Sequence, residues 1–145
     1  MATINVNGQT VEAIVTIGCD QYGNGGTPLP EPSTYEGMTA TVVQTKDNAK
    51  GQILASVICS GVGKVNLKWN KLSAAEWAAI CQLFEADYGG SFVNYVKFFD
   101  QMANAYTVRE MYPSDRKANI YKRTDGEVDG WLNCSLNLVD TRRRW

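Results

Sequence analysis

The sequence predicts a mainly β fold, an antiparallel β-sandwich or barrel with one α-helix at about residues 74–87 packed on it. Three observations predict this class. Runs of β-prone residues follow one another without alternating helical patterns. The run 131–140 alternates apolar and polar side chains, as a half-buried strand does. One stretch carries a complete helix-start signal, and we expect its helix to cover one face or opening of the sheet.

The strands are predicted from turn signals and alternation. Asn7-Gly8 predicts a hairpin of residues 3–6 and 9–17, because a type I′ turn needs positive φ at both central residues. Val65, Leu67 and Trp69 alternate with polar residues. The further predicted strands are 39–45, 52–60, 64–69, 91–99, 105–111, 118–123 and 131–140.

The helix is the best-specified element. Ser73 and Glu76 form a capping box, and Leu72 and Trp77 have the spacing of a hydrophobic staple. An apolar stripe at helical spacing follows, comprising Trp77, Ile80, Cys81 and Phe84. Gly89-Gly90 is expected to stop the helix, which gives the predicted span 74–87.

Residues 18–38 are rich in Gly and Pro and read as a long loop or arm. We expect this arm to be disordered in the free monomer and to lie across a neighbouring subunit, because ordering such a chain costs conformational entropy. The alternative is a mobile surface loop without a partner. Its apolar residues are candidate interface residues: Tyr22, Leu29, Tyr35 and Met38.

Length and composition favour one β-rich domain over residues 1–140, followed by a basic tail at 141–145. The net charge of −1 argues against general nucleic-acid binding and against sequence-specific nucleic-acid recognition. No apolar run is long enough for a membrane span, and the N-terminus lacks a secretory signal, so synthesis in a cytoplasm and no membrane partner are expected.

The residue types argue against an enzyme. Histidine is absent, which removes Ser-His-Asp and Cys-His chemistry and the commonest neutral metal ligand. The loop with Asp20 and Asn24 lacks the alternating ligands and the closing carboxylate of a calcium site. The cysteines, Cys19, Cys59, Cys81 and Cys134, are expected to be reduced structural residues. We therefore predict no catalytic residues, metal or cofactor.

Two charged groups are candidate interface sites. Pro113-Ser114-Asp115-Arg116 falls between two predicted strands. Its Asp115 and Arg116 suggest an inter-subunit or backbone-carbonyl clamp, or alternatively an Asx-type turn with a solvated arginine. Arg142, Arg143 and Arg144 suggest contact with an acidic neighbour, or alternatively a solvated tail.

An ordered set of landmarks resembles small proteins encoded in the tail modules of phages and prophages of Gram-positive bacteria. These landmarks are Asn5-Val6-Asn7-Gly8, Leu67-Lys68-Trp69, Leu72-Ser73-x-x-Glu76, the aromatic strand with Phe92, Tyr95 and Phe98-Phe99-Asp100, Tyr112-Pro113-Ser114-Asp115-Arg116, and Trp131 followed by Asn137-Leu138-Val139-Asp140. The chain departs from that pattern in the segment 18–38, in Ser114 where the family tends to have glycine, and in the Arg-rich tail.

The resemblance implies a non-enzymatic virion protein made in a bacterial cytoplasm. On this basis we expect a homo-oligomeric ring, with six-fold symmetry favoured, in a tail or baseplate near the tail tip, in contact with other tail proteins. A ring at the head–tail neck is the structural alternative. A monomeric carbohydrate- or receptor-binding β-sandwich module is the alternative from another class.

Overall fold

A computed structural model describes residues 3–47 and 53–141, with the backbone alone over 40–47 and 53–62. The strands are β1 Thr3–Val6, β2 Gln9–Glu12, β3 Val15–Ile17, β4 Thr27–Pro28, β5 Thr34–Asp47, β6 Ile53–Ser73, β7 Asn94–Asp100, β8 Ala105–Thr124 and β9 Glu127–Asp140. The α-helix α1 is Ala74–Gln82, and a 3-10 helix spans Ala86–Tyr88. The prediction of a mainly β antiparallel fold with one α-helix is confirmed.

The strands form one seven-stranded antiparallel sheet in the order β4-β3-β7-β8-β9-β6-β5, and β1 and β2 form a separate hairpin. The sheet curls so that its two ends meet. The Tyr35 hydroxyl on β5 donates to the carbonyl of Phe99 on β7, and the Trp69 indole on β6 donates to the carbonyl of Pro30. The predicted antiparallel fold thus takes the form of one curled sheet with its two ends in contact.

The core fills the concave side of the sheet beneath α1. Alternation along β9 buries Cys134, Leu136 and Leu138, as the sequence predicted. The same cluster includes Val15, Ile17, Leu29, Val65, Leu67, Trp69, Leu72, Trp77, Ile80, Phe84, Val96, Phe98 and Met111. Trp69 and Trp77 pack with ring centroids 6.3 Å apart, which joins the helix to β6.

Helix α1 begins as predicted but ends earlier. The Ser73 hydroxyl accepts from the Glu76 N–H and the Glu76 carboxylate accepts from the Ser73 N–H, which confirms the capping box. The predicted end at residue 87 is wrong, because i→i−3 hydrogen bonds take over from Leu83 onward and α1 stops at Gln82. A Cβ on Gly90 would lie 2.3 Å from the Leu83 carbonyl oxygen, so only glycine allows this tight return.

The continuity of the strands differs from the predictions in three places. The predicted strand 9–17 breaks at residues 13–14, and β3 leaves the hairpin to join the large sheet. The predicted strands 52–60 and 64–69 are one strand, β6. The strands 105–111 and 118–123 are likewise one strand, β8, because the pairing with β9 slips between Pro113 and Arg116 without breaking the strand. Proline lacks a ladder donor and is tolerated at such a bulge.

Candidate assembly surfaces

Residues 18–38 dock on their own chain, which corrects the prediction of an arm lying across a neighbour. Strand β4 pairs with β3, and the Leu29 N–H donates to the Val15 carbonyl at 3.0 Å. The Leu29 side chain is 1% exposed and belongs to the core cluster. The buried Leu29 side chain and these backbone bonds together hold a segment rich in Gly and Pro on its own domain.

The turn before β4 is organised by Asp20. Its carboxylate accepts from the backbone N–H groups of Asn24 at 2.9 Å and Tyr22 at 2.8 Å, and these bonds hold the pKa of Asp20 below its usual range. Gly26 then passes against β3 with φ +88°, where a Cβ would lie 2.8 Å from the Cys19 nitrogen. Backbone donors and a close backbone approach therefore shape this loop.

The element that projects from the sheet is the β5–β6 hairpin beyond residue 63. The register pairs Ala40 with Val62 and continues to Asp47 opposite Ile53, whereas the pairing of β6 with β9 begins only at Lys64. We name residues 40–47 and 53–62 the arm hairpin. Within residues 3–47 and 53–141, no other strand pairs with either of its edges.

Arg116 forms a clamp within the chain. Its Nη1 donates to the Cys81 carbonyl at 3.2 Å, its Nη2 donates to the Glu85 carboxylate at 2.9 Å, and the guanidinium lies 5.7 Å from the centre of the Phe84 ring. The guanidinium gives the Cys81 carbonyl a second donor beside the Phe84 N–H, which lies 3.5 Å from the same oxygen, and a cation at the end of a helix is favoured by the helix dipole. Arg116 thus bonds a backbone carbonyl of its own chain and is not a solvated arginine, while the interface role of Asp115 and Arg116 stays a prediction. Asp115 is exposed beside it.

The remaining interface candidates lie in different places. Tyr22 is 77% exposed in the Asp20 turn, and Met38 is 42% exposed on β5. Tyr35 is half-buried and its hydroxyl donates to the Phe99 carbonyl. Burial raises the pKa of Tyr35 to about 12. Arg142, Arg143 and Arg144 lie outside the described residues. The structure does not gather these candidates into one surface, and their interface role stays a prediction.

Sequence reasoning missed two exposed aromatic residues. Tyr88 is 67% exposed at the end of the 3-10 helix and borders a groove of about 470 Å³ between residues 27–30 and α1. Phe92 is 55% exposed and stacks on Tyr112 with centroids 5.7 Å apart. Both flank Gly89-Gly90, which was read only as a helix stop. Two consecutive glycines beside aromatics were the available signal of a turn that presents side chains.

A second hollow, of about 430 Å³, opens on the convex side of the sheet. Lys68 on β6 and Lys117 on β8 both pair with Ser135 on β9, so they stand in one row with the serine between them. Asn70, Asn119 and Asn133 also line it. This hollow is polar and carries two exposed lysines, unlike the apolar groove beside α1.

The structure describes the thiols of three cysteines, and the side chain of Cys59 lies outside the described residues. Burial raises the pKa of the Cys19, Cys81 and Cys134 thiols, which favours the protonated form, and all three are free. Across residues 3–47 and 53–141, no group of three or more His, Cys, Asp or Glu residues is placed to hold a metal ion. In the same ranges, no helix is long and apolar enough to cross a membrane.

Neither a known protein family nor a curated protein sequence matches this chain. Among solved structures, it is similar to the sheath/tube terminator of an extracellular contractile injection system, PVC, in the extended state, with 12% identity, a TM-score of 0.42 and 89% of each chain covered. It is also similar to the tube-terminating cap of the anti-feeding prophage, with 12% identity and a TM-score of 0.41, over 96% of this chain and 91% of that one. Superpositions this loose do not establish a shared role.

Proposed function

We propose that this chain is a non-enzymatic structural subunit of a phage tail or baseplate, and that it forms a homo-oligomeric ring near the tail tip. The observation that carries the proposal is the arm hairpin. At roughly 3.3 Å per residue, residues 53–62 extend about 30 Å from the point where β6 leaves the sheet. An element of that reach is built to contact something other than its own domain.

The backbone of the arm hairpin explains why it needs a partner. A two-stranded ribbon is marginally stable in water, and each of its outer edges presents unpaired N–H and C=O groups. Its sequence is also apolar, with Val42, Val43, Ile53, Leu54 and Ile58 among its residues. Pairing with a neighbouring subunit would satisfy the edges and remove apolar area from water. A repeated contact of this kind between copies generates a ring when its rotation closes.

The ordered landmarks of the sequence support the same assignment, since they resemble proteins of phage tail modules. The ring would have six-fold symmetry, as such tails usually do, and would contact other tail proteins. A ring at the head–tail neck is the structural alternative. Locating the subunit by electron microscopy of intact particles separates the tail tip from the neck.

A second function from another class is favoured by the stacked pair Phe92 and Tyr112. An exposed aromatic face is a common platform for sugar rings, and a monomeric carbohydrate- or receptor-binding module would use it. Phe92→Ala would then abolish glycan or cell binding by the purified chain while leaving particle assembly intact. The ring subunit predicts the opposite dependence, in which changes in the arm hairpin control assembly.

The test of the ring proposal is a register-matched truncation of the arm hairpin. Val43 and Val57 are paired, so joining them through Asn-Gly in place of residues 44–56 preserves the hairpin geometry at the cut. We expect the truncated chain to fold and to be excluded from particles when it replaces the full chain. Normal incorporation of the truncated chain would contradict the proposal.

A further inference from the structure

The charged residues of the chain are segregated along its sequence. Residues 1–45 and 72–96 contain acidic residues and no Lys or Arg, and these two segments meet where residues 27–30 pack beside α1. Residues 48–75 and 116–124 contain basic residues and no Asp or Glu, and within these segments residues 64–73 and 116–124 pair with β9. We name the exposed face around Asp87 and Tyr88 the acidic surface, and the convex face around Lys68 and Lys117 the basic surface.

The acidic surface has a projecting centre. Tyr88 is 67% exposed, and it separates the apolar groove beside α1 from a smaller hollow lined by Glu85 and Arg116. Asp87, which precedes Tyr88, is exposed. Glu85 forms an ion pair with Arg116, whereas the Arg116 clamp does not include Asp87, the carboxylate next to Tyr88. Exposed tyrosines with a neighbouring charge are frequent anchors of protein interfaces.

The basic surface has a concave centre. The hollow of about 430 Å³ holds Lys68 and Lys117 on opposite sides of Ser135, and its volume exceeds that of one aromatic side chain. Its asparagine lining offers amide donors and acceptors to a phenolic hydroxyl. Lysine ammonium groups attract both a carboxylate and the face of an aromatic ring.

We propose that the two surfaces bind each other between copies of this chain: Tyr88 and Asp87 of one copy enter the hollow between Lys68 and Lys117 of the next. The two surfaces lie on different parts of the chain, so the contact is head-to-tail, and an open oligomer has a free acidic surface at one end and a free basic surface at the other. The occupant is a second copy because charge and shape match within the same chain. This inference rests on the proposed assembly function and adds a second inter-subunit contact to that of the arm hairpin.

The test uses two single charge reversals, Asp87→Lys and Lys117→Asp, studied by sedimentation velocity over a range of protein concentrations. We expect the wild type to self-associate more weakly as salt rises, and each variant to lose at least about tenfold in association constant, because like charges then meet. The controls are Glu127→Lys and Lys122→Asp, which make the same charge changes at residues that line neither the hollow nor the groove beside Tyr88, and both should associate as the wild type does.

Mixing the two variants is the decisive measurement. Each keeps one native surface, so an equimolar mixture contains native contacts and contacts with both charges exchanged, and we expect it to associate again. Wild-type association that neither variant weakens, or a mixture that stays dissociated, would overturn the contact while leaving ring assembly standing. A wild-type chain that remains monomeric at every concentration would contradict both the contact and self-assembly. Thermal melting of each variant shows whether it folds.

Discussion

Composition suggests that residues 18–38 form a free arm and that the strands of the arm hairpin belong to the sheet, but the structure shows the reverse. The first segment is rich in Gly and Pro, yet it is fastened to the core by Leu29 and by the Trp69 bond to Pro30. The second consists of two well-formed β-strands, yet it leaves the sheet beyond Lys64. The difference teaches that regular secondary structure does not mean attachment. What fixes a segment to a domain is a buried side chain or a ladder shared with the sheet.

The largest expected effect compares removal of the two regions. Deleting residues 20–34 removes β4, a core leucine and the acceptor of Trp69, so we expect a loss of unfolding free energy greater than that of any single core truncation. Joining Val43 to Val57 by Asn-Gly should change the unfolding free energy by no more than about 1 kcal/mol, because the two strands of the arm hairpin pair only with each other among the described strands. Chemical denaturation of both deletions measures this. Equal unfolding free energies of the two deletion variants would contradict the proposed difference in attachment between the two regions.

A single substitution tests whether Leu29 fastens the first region. Leu29→Ala should cost about 2–5 kcal/mol, as truncation of a fully buried leucine does. Tyr22→Ala in the same segment is the matched control, and with its side chain largely in solvent it should stay within about 0.5 kcal/mol of the wild type. If both variants unfold at the same denaturant concentration, Leu29 does not fasten the segment.

The adjacent glycines separate backbone strain from steric fit. Both Gly25 and Gly26 have positive φ, but a Cβ on Gly25 meets nothing within 4 Å, whereas one on Gly26 meets the backbone of β3. Gly25→Ala should therefore cost about 1 kcal/mol of left-handed strain, and Gly26→Ala should cost about 1–3 kcal/mol more. Thermal unfolding of the pair gives the difference directly. Equal losses would mean that the loop is not seated against β3.

The smallest effect concerns the bond that closes the curl of the sheet. Burial, with Asp100 and Tyr106 as lesser causes, raises the pKa of Tyr35 to about 12, above the value near 10 of an unfolded tyrosine. The stability linked to the neutral hydroxyl is fully present below pH 10 and is lost as pH rises toward 12. Tyr35→Phe should flatten this alkaline decline, which unfolding measured between pH 9 and 12 will show. An unchanged pH profile would contradict the linkage.

The sequence predicts the elements whose signals are local. The capping box of Ser73 and Glu76, the Asn7-Gly8 turn and the alternation along β9 each depend on neighbouring residues, and each is found. It does not predict features set by distant packing. Nothing local shows that Leu29 docks on β3, that Pro113 occupies a bulge inside one strand, or that β6 continues through Gly63 into the sheet.

The candidate surfaces also depend on contacts between residues far apart in the sequence, which local signals do not predict. Arg116 was identified from residue type, but its partner Cys81 lies 35 positions earlier in the chain and becomes visible only in the fold. The row of Lys68, Ser135 and Lys117 arises from strand register, which alternation alone does not fix between three separate strands. The exposure of Tyr88 follows from the early end of α1, itself a consequence of tertiary packing.

The continuity of β6 has a mechanical consequence. One strand runs from the arm hairpin, across nine residue pairs with β9, to the N-cap of α1 at Ser73. A pull on the arm hairpin along this strand would load those hydrogen bonds sideways and all together, because ladder bonds in an antiparallel pair lie across the strand direction. Bonds loaded in shear share the force, whereas bonds peeled from one end break in turn. A force applied to the arm hairpin would therefore be carried along β6 into the sheet before the pairing of β6 with β9 breaks.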